Sequence, residues 1–186
     1  GTGALYIRSQ KPKVDLKAFL VGGGHENGRR SGTLNVAGIL GLAEALEMVN
    51  SEMSKNVVAL SEKRNKLLRI VEDLSGKHGL KFRINGPSVD KKLPNNLSLS
   101  FYQIDAAKMH SGLRMVAFST GSACSTAKAA PSHVLKAIGL SDELAKNTIR
   151  LSVGKYTSDE DFLNFTQHFD KALGLAKLSS EFSPKP

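Results

Sequence analysis

The first 35 residues combine one short apolar run with several loop signals. Residues 4–7 are apolar and partly β-branched, which predicts a strand. Pro12 and three consecutive glycines at 22–24 then indicate loops. We therefore expect one strand, followed by irregular chain, ahead of the first helix.

A long helix is predicted from Val36 onwards. Asn35 is a suitable N-cap, and apolar residues then recur at spacings of three and four as far as Leu74. Polar residues at 50–54 interrupt this pattern and predict a break or bend. Glycines at 76 and 79 predict the end of the helix. Because sustained heptads with complementary flanking charges are missing, we expect the helix to pack on a domain and not in a coiled coil.

From Leu80 the apolar period changes from that of a helix to that of a strand. Helices are also predicted in this part from N-caps, apolar spacing and a Thr157/Glu160 capping box. The predicted strands are residues 80–84, 97–102, 116–119 and 149–153. The predicted helices are a short one capped by Asp105 that runs through Leu113, one that starts at Pro131 and ends just before Gly139, and one that follows Thr157. Together these elements predict a helical N-terminal part and a C-terminal α+β part in which helices cover one sheet.

Composition narrows the classes of protein to which the chain can belong. Its 186 residues are 40% hydrophobic and 23% charged, and no apolar run approaches the roughly 20 residues of a membrane-spanning helix. The net charge of +9 is spread along the chain without interleaved aromatic residues, so no nucleic-acid partner is predicted. The histidines have no metal-ligand spacing, and we expect no metal site.

Cys124 is the single cysteine and lies in a segment of small residues. Eight of the nine residues at 119–127 are Gly, Ala, Ser or Thr, which predicts an exposed loop. The lone cysteine excludes an internal disulfide and fits a reducing compartment. A lone cysteine is usually a buried, inert side chain, but this context favours a reactive thiol.

Two further segments carry groups that bind anions. Arg150 alternates with apolar residues in its predicted strand, so its guanidinium projects from the opposite face and could clamp a carboxylate; a surface ion pair is the alternative. Residues 22–33 combine glycines, two arginines and hydroxyls ahead of a helix, as a phosphate site requires. They match no standard phosphate motif, so an ordinary glycine-rich connection remains the alternative.

Taken together, four stretches resemble the C-terminal half of a cysteine desulfurase, a pyridoxal-phosphate (PLP) enzyme. They are residues 1–8, 22–33, 119–125 with 131–135, and 149–154, in the order and spacing of that family. The resemblance implies an α/β fold: the C-terminal portion of a fold-type I, class V aminotransferase enzyme. It comprises the end of the large PLP-binding domain and a long connecting helix (1–78), then a small α+β domain with an antiparallel-rich sheet that carries the cysteine loop (79–186).

The resemblance also implies roles for three residues. Cys124 would be the nucleophile that takes sulfur from L-cysteine as a persulfide and releases L-alanine. Arg150 would bind the substrate carboxylate, and Thr33 would reach the phosphate of the neighbouring subunit's PLP. A homodimer and a sulfur acceptor, such as an iron–sulfur scaffold protein, are implied partners, whereas neither nucleic acid nor a membrane is required.

The resemblance has limits. The Schiff-base lysine of that family lies upstream of what is Gly1 here, so we expect a longer protein and an inactive chain on its own. Lys155 stands where the family usually has arginine. A selenocysteine lyase of the same fold and a non-catalytic binding or dimerisation module remain alternatives. The expected location is cytoplasmic, with a mitochondrial or plastid location as the alternative.

Overall fold

The fold was analysed in a computed structural model that describes residues 1–102, 104, 106–121 and 131–181. A single-turn 3-10 helix, Val89–Lys91, joins the first two strands. The elements are α1 (Val36–Lys77), β1 (Phe82–Ile84), β2 (Asn96–Phe101), α2 (Ala106–Gly112), β3 (Ser119–Thr120), α3 (His133–Ala137), α4 (Asp142–Lys146), β4 (Thr148–Ser152) and α5 (Asp159–Glu181). Within these residues no helix has both the length and the hydropathy needed to cross a membrane.

The chain divides into two compact units, residues 1–54 and residues 55–186. The division falls inside α1, which contributes its first turns to one unit and its later turns to the other. The domain boundary predicted at residues 78 and 79 corresponds to the end of this helix and stays a prediction.

In the first unit, residues 1–35 form neither helix nor strand, so the strand predicted at residues 4–7 is wrong. An apolar run becomes a strand only when a neighbouring strand accepts its backbone hydrogen bonds, and residues 1–54 contain none. The predicted N-cap is confirmed, because Asn35 Oδ1 accepts a hydrogen bond from the Gly38 N–H at 3.0 Å.

Of the break or bend predicted at residues 50–54, the break is wrong, because α1 runs through this segment without interruption, and the bend stays a prediction. Ser51 Oγ donates to the Met48 carbonyl oxygen at 2.9 Å, so its hydroxyl is satisfied within the helix. Neighbouring polar side chains face outwards. Polar residues therefore interrupt the apolar pattern here without interrupting the helix.

In the second unit, the described strands form an antiparallel sheet in the order β1-β2-β4-β3. The predicted strands at 80–84, 97–102 and 149–153 are confirmed to within two residues. The strand predicted at 116–119 lies later in the chain, at Ser119–Thr120. The N–H of Val116 donates to the Leu113 carbonyl oxygen in a turn, although Val116 and Phe118 still pack against the core.

The helices of this unit differ from prediction in two details. Helix α4 was not predicted; its signal was Ser141, whose Oγ accepts from the Leu144 N–H. The capping box of α5 lies one residue later than predicted, because Ser158 and Asp161 bond reciprocally. Thr157 Oγ1 instead accepts from the Gly154 N–H at 2.9 Å and closes the turn after β4.

The core lies between one face of the sheet and three helices. The second half of α1 contributes Leu67 and Val71, while α2 and α5 supply most of the remaining helical side chains. From the sheet and α5, the buried side chains include Leu97, Leu99, Phe101, Ile149, Leu151, Phe165, Phe169 and Leu173. Burying this apolar area supplies most of the driving force for folding.

Candidate active site

The face of the sheet opposite the core is polar from end to end. Residues that pair directly across antiparallel strands share a face, and three such rows lie on this side. The rows are Asn96 with Ser152, Ser98 with Arg150 and Ser119, and Arg83 with Ser100 and Thr148. We refer to these eight residues as the polar face.

Arg150 lies exposed in the middle row of the polar face, as its alternation with apolar residues predicted. Its Nη2 donates a hydrogen bond to Ser119 Oγ at 3.2 Å. Among the described residues, no carboxylate forms an ion pair with Arg150, so the ion-pair alternative gains no support there. The guanidinium therefore has N–H groups left over for an anionic ligand.

One end of the polar face is closed by a buried network of hydrogen bonds. Ser100 Oγ lies 2.7 Å from Thr148 Oγ1, which donates to the Leu144 carbonyl oxygen of α4. The buried Asn85 amide donates to Ser100 Oγ at 2.8 Å and to Ser98 Oγ at 3.2 Å. This network was not predicted, although Ser98, Ser100 and Thr148 alternate with apolar residues, as hydroxyls on one face of a sheet do.

A lysine extends the network to the surface. Lys92 Nζ donates to the Asn85 backbone carbonyl oxygen. Burial lowers the pKa of Lys92, and the nearby positive charge of Arg64 lowers it further. This end of the face is thus occupied by internal contacts, whereas Arg150 in the middle row and Ser152 in the next row are exposed in the part of the chain that the structure describes.

Gly121 fixes the point where the chain leaves the sheet after β3. Its N–H donates to the Thr148 carbonyl oxygen at 2.8 Å, and its own carbonyl oxygen accepts from the Ser132 N–H at 2.7 Å. A Cβ at this position would overlap the Ala145 carbonyl oxygen of α4, so only glycine fits. The chain before residue 122 and the chain after residue 130 are consequently held together beside β4.

The predicted nucleophile, Cys124, lies between those two points, outside the described residues. Thr33 belongs to the first unit and Arg150 to the second. Of the predicted site residues, therefore, only Arg150 has a described partner on the polar face, Ser119. The sequence analysis placed Ser119 in the small-residue segment but gave it no role.

Thr33 ends the glycine-rich segment that was predicted to bind phosphate. Gly24, Gly28 and Gly32 have φ of 74°, 74° and 106°, a left-handed backbone that glycine adopts without strain. Arg30 Nη1 donates to the Gly32 and Thr33 carbonyl oxygens at 3.0 and 3.4 Å. The Thr33 side chain is exposed and its hydroxyl has no bond within the described chain. A hydroxyl and a guanidinium within one segment are a donor set that fits a phosphate group.

Comparison with known proteins identifies the family. A family model for aminotransferase class-V matches residues 1–165. The chain belongs to this family. The resemblance stated from the sequence and the α/β fold class are thereby confirmed, since the class V aminotransferase match spans both the long helix and the small antiparallel sheet.

Individual proteins are similar to the chain over 77% to 97% of its length. Cysteine desulfurase IscS from Histophilus somni (strain 129Pt) is 41% identical over 181 residues, which cover 97% of this chain and 41% of the relative. A solved NifS-like protein is 31% identical with a TM-score of 0.72, over 88% of this chain and 40% of its own. Another solved structure, SspA in complex with cysteine, is 30% identical with a TM-score of 0.53, over 77% and 37%. The chain spans about two fifths of the length of the curated relatives it matches.

Proposed function

We propose that the protein carrying this chain is a PLP-dependent cysteine desulfurase, which converts L-cysteine to L-alanine and an enzyme persulfide. The observation that carries the proposal is the state of Arg150. Its guanidinium is exposed on an open polar face, lacks an internal carboxylate partner among the described residues, and lies beside the strand that leads to Cys124. The similarity to a named cysteine desulfurase and to a structure solved with cysteine supports the same assignment.

Arg150 supplies the recognition of the substrate. A guanidinium binds a carboxylate through two parallel N–H···O bonds, which fixes the orientation of the amino acid as well as its position. Because every α-amino acid has this carboxylate, Arg150 orients the substrate without selecting its side chain. We assign selection for sulfur to the chemistry of Cys124.

Cys124 acts as a thiolate, because the thiolate and not the thiol is the nucleophile. It attacks the sulfur of the substrate, and the S–S bond of a persulfide forms while the substrate Cβ–S bond breaks. The electron pair of the broken bond stays with the alanine fragment, whose Cβ then takes up a proton. An acceptor thiol or an iron–sulfur scaffold protein then removes the terminal sulfur.

PLP, when bound, supplies the electron withdrawal that makes the Cβ–S bond of the amino acid breakable. Thr33, with its exposed hydroxyl, is the residue of this chain that we assign to the phosphate of a neighbouring subunit's PLP, which requires a homodimer. The lysine that holds the coenzyme is assigned to a part of the protein outside this chain. Residues 1–186 alone are accordingly expected to be inactive.

A reducing, cytoplasmic location is part of the proposal. The chain has a single cysteine, and a persulfide passed from thiol to thiol needs surroundings in which free thiols persist. An oxidising compartment would divert the Cys124 thiol into mixed disulfides.

The test uses the full-length protein loaded with PLP. Incubation with L-cysteine should release L-alanine, and mass spectrometry should find one added sulfur atom on the peptide that contains Cys124. The Cys124→Ser variant should retain the coenzyme spectrum and lose sulfur release. Parental sulfur release by this variant would overturn the proposal, and faster alanine release from L-selenocysteine than from L-cysteine would replace it with a selenocysteine lyase.

A further inference from the structure

We propose that Ser119 is a positioning residue that fixes the Arg150 guanidinium for the substrate carboxylate. The inference rests on the proposed function, because it assumes that Arg150 receives that carboxylate. It concerns a residue to which neither the sequence pattern nor the resemblance assigned a role. The evidence lies in the register of β3 and β4 and in the hydrogen bonds around it.

Ser119 and Arg150 are directly opposite each other in the antiparallel pairing of β3 with β4. Residues in such a pair have their Cβ atoms about 5 Å apart and on the same face of the sheet. The 3.2 Å bond from Arg150 Nη2 to Ser119 Oγ spans this short separation. The pairing register itself therefore aims the hydroxyl at the guanidinium.

An arginine side chain needs such a restraint if it is to bind with defined geometry. Fixing its several rotatable bonds costs rotamer entropy, which an unrestrained side chain would lose each time a carboxylate binds. The Ser119 bond orders Arg150 before the ligand arrives. Because it engages only Nη2, it leaves N–H groups on the other edge of the guanidinium for a bidentate pair.

Ser119 is itself held in place. Two residues further on, the Gly121 N–H donates to the Thr148 carbonyl oxygen of β4 at 2.8 Å, and the Gly121 carbonyl oxygen accepts from Ser132. The Ser119 side chain is half-buried. A hydroxyl on a short strand anchored in this way is a fixed acceptor, which is the property that a positioning residue needs.

Ser98 provides a matched control. It is also a serine, and it lies directly opposite Arg150 on the other side, in the pairing of β2 with β4. Its Oγ accepts a hydrogen bond from Asn85 Nδ2 at 3.2 Å, and it makes no bond to Arg150. Comparing Ser119→Ala with Ser98→Ala therefore distinguishes the loss of the hydrogen bond to Arg150 from a general loss of polarity on this face.

The experiment compares Ser119→Ala, Ser119→Thr and Ser98→Ala in the full-length, PLP-loaded protein. Ser119→Ala should raise KM for L-cysteine about tenfold and change kcat less than about twofold, because ordering of the carboxylate clamp is lost and the reacting groups are untouched. Ser119→Thr retains the hydroxyl and a strand-compatible side chain and should restore the parental KM. Ser98→Ala should resemble the parent.

A binding measurement without turnover separates positioning from structural damage. The absorbance of the bound coenzyme reports the affinity for L-alanine and for cysteamine, which is L-cysteine without its carboxylate. Ser119→Ala should weaken L-alanine about tenfold and leave cysteamine unchanged, because only the carboxylate meets Arg150. Equal weakening of both ligands, or a parental KM for Ser119→Ala together with an impaired Arg150→Ala, would overturn the role of Ser119. Parental kinetics for Arg150→Ala would instead overturn the use of Arg150 in the proposed function.

Discussion

The two faces of the sheet are built from alternate residues of the same strands, yet they differ in nearly every physical respect. On the core face, Leu99, Phe101 and Ile149 are fully buried beneath α5 and the second half of α1. On the polar face, Arg150 and Ser152 are exposed, whereas Ser100 and Thr148 are buried in the hydrogen-bond network that ends at the Leu144 carbonyl oxygen of α4. Alternation with period two thus places burial and candidate chemistry at adjacent positions of one strand.

From this difference we expect that single substitutions in this unit affect either stability or activity, and not both. A core-face side chain contributes through the apolar area it buries, which a substrate never contacts. A side chain at the open end of the polar face loses little burial when it is truncated. The predictions that follow use neighbouring residues to test this separation.

The largest effect is expected from Phe101→Ala on the core face. Phe101 is fully buried, with its ring centroid 5.6 Å from that of Phe82 and 6.4 Å from that of Phe169. Truncation should lower the free energy of unfolding by about 3–5 kcal/mol, through lost burial and the cavity left behind. Urea denaturation monitored by circular dichroism measures the loss. The control is Tyr102→Ala, which removes the adjacent, 49% exposed ring and should cost less than about 1 kcal/mol.

The next effect is expected from Arg150→Ala on the polar face, and it concerns activity. Loss of a charge-assisted pair with the substrate carboxylate should reduce kcat/KM for L-cysteine by about 1.5–3 kcal/mol, or about 10- to 150-fold. Stability should change by less than about 0.5 kcal/mol, since the side chain is exposed. Steady-state kinetics and urea denaturation of the same sample give both values. Arg83→Ala, at another exposed position of the polar face, is the control and should leave kcat/KM unchanged.

Gly121→Ala should lower the free energy of unfolding by about 1–3 kcal/mol. Its Cβ would overlap the Ala145 carbonyl oxygen, so α4 must move away from the polar face and the Thr148 bonds must weaken. Gly76→Ala in α1 is the matched control, because nothing lies within 4 Å of its added Cβ. Helix propensity predicts that this control is slightly stabilised, by up to about 1 kcal/mol. A Gly121→Ala protein as stable as the parent would show that α4 does not restrain this segment.

Alternation made the core face predictable from the sequence. The period-two pattern located β2 and β4 to within two residues, and apolar spacing located the buried stripe of α5. It also predicted that Arg150 projects away from the core. These features depend on the local spacing of apolar residues, which a single sequence contains and which indicates the buried positions.

The remaining features depend on contacts between distant residues. The Ser119–Arg150 bond requires the register of two strands separated by 31 positions, and no local pattern states that register. The Asn85 network likewise joins β1 to β2 and, through Thr148, to α4. The strand predicted at residues 4–7 is wrong because an apolar run alone does not supply a partner strand.

The smallest effects are expected from two buried serines, one on α1 in the core and one on the polar face of the sheet. Ser75 lies on α1 in the core and is 1% exposed, and its Oγ has no hydrogen-bond partner among the described residues. Ser100 is equally buried, but its Oγ bonds to Asn85 and Thr148. The same substitution by alanine should therefore change stability in opposite directions.

Ser75→Ala should raise the free energy of unfolding by about 1 kcal/mol, because it removes a buried hydroxyl whose desolvation is not compensated. Ser100→Ala should lower it by about 1 kcal/mol and no more, since Asn85 keeps its bond to Ser98 and Thr148 keeps its bond to the Leu144 carbonyl oxygen. Urea denaturation of the two variants and the parent gives both values. Destabilisation of the Ser75 variant would mean that its hydroxyl has a partner in solution, and the contrast between the two faces would then rest on apolar burial alone.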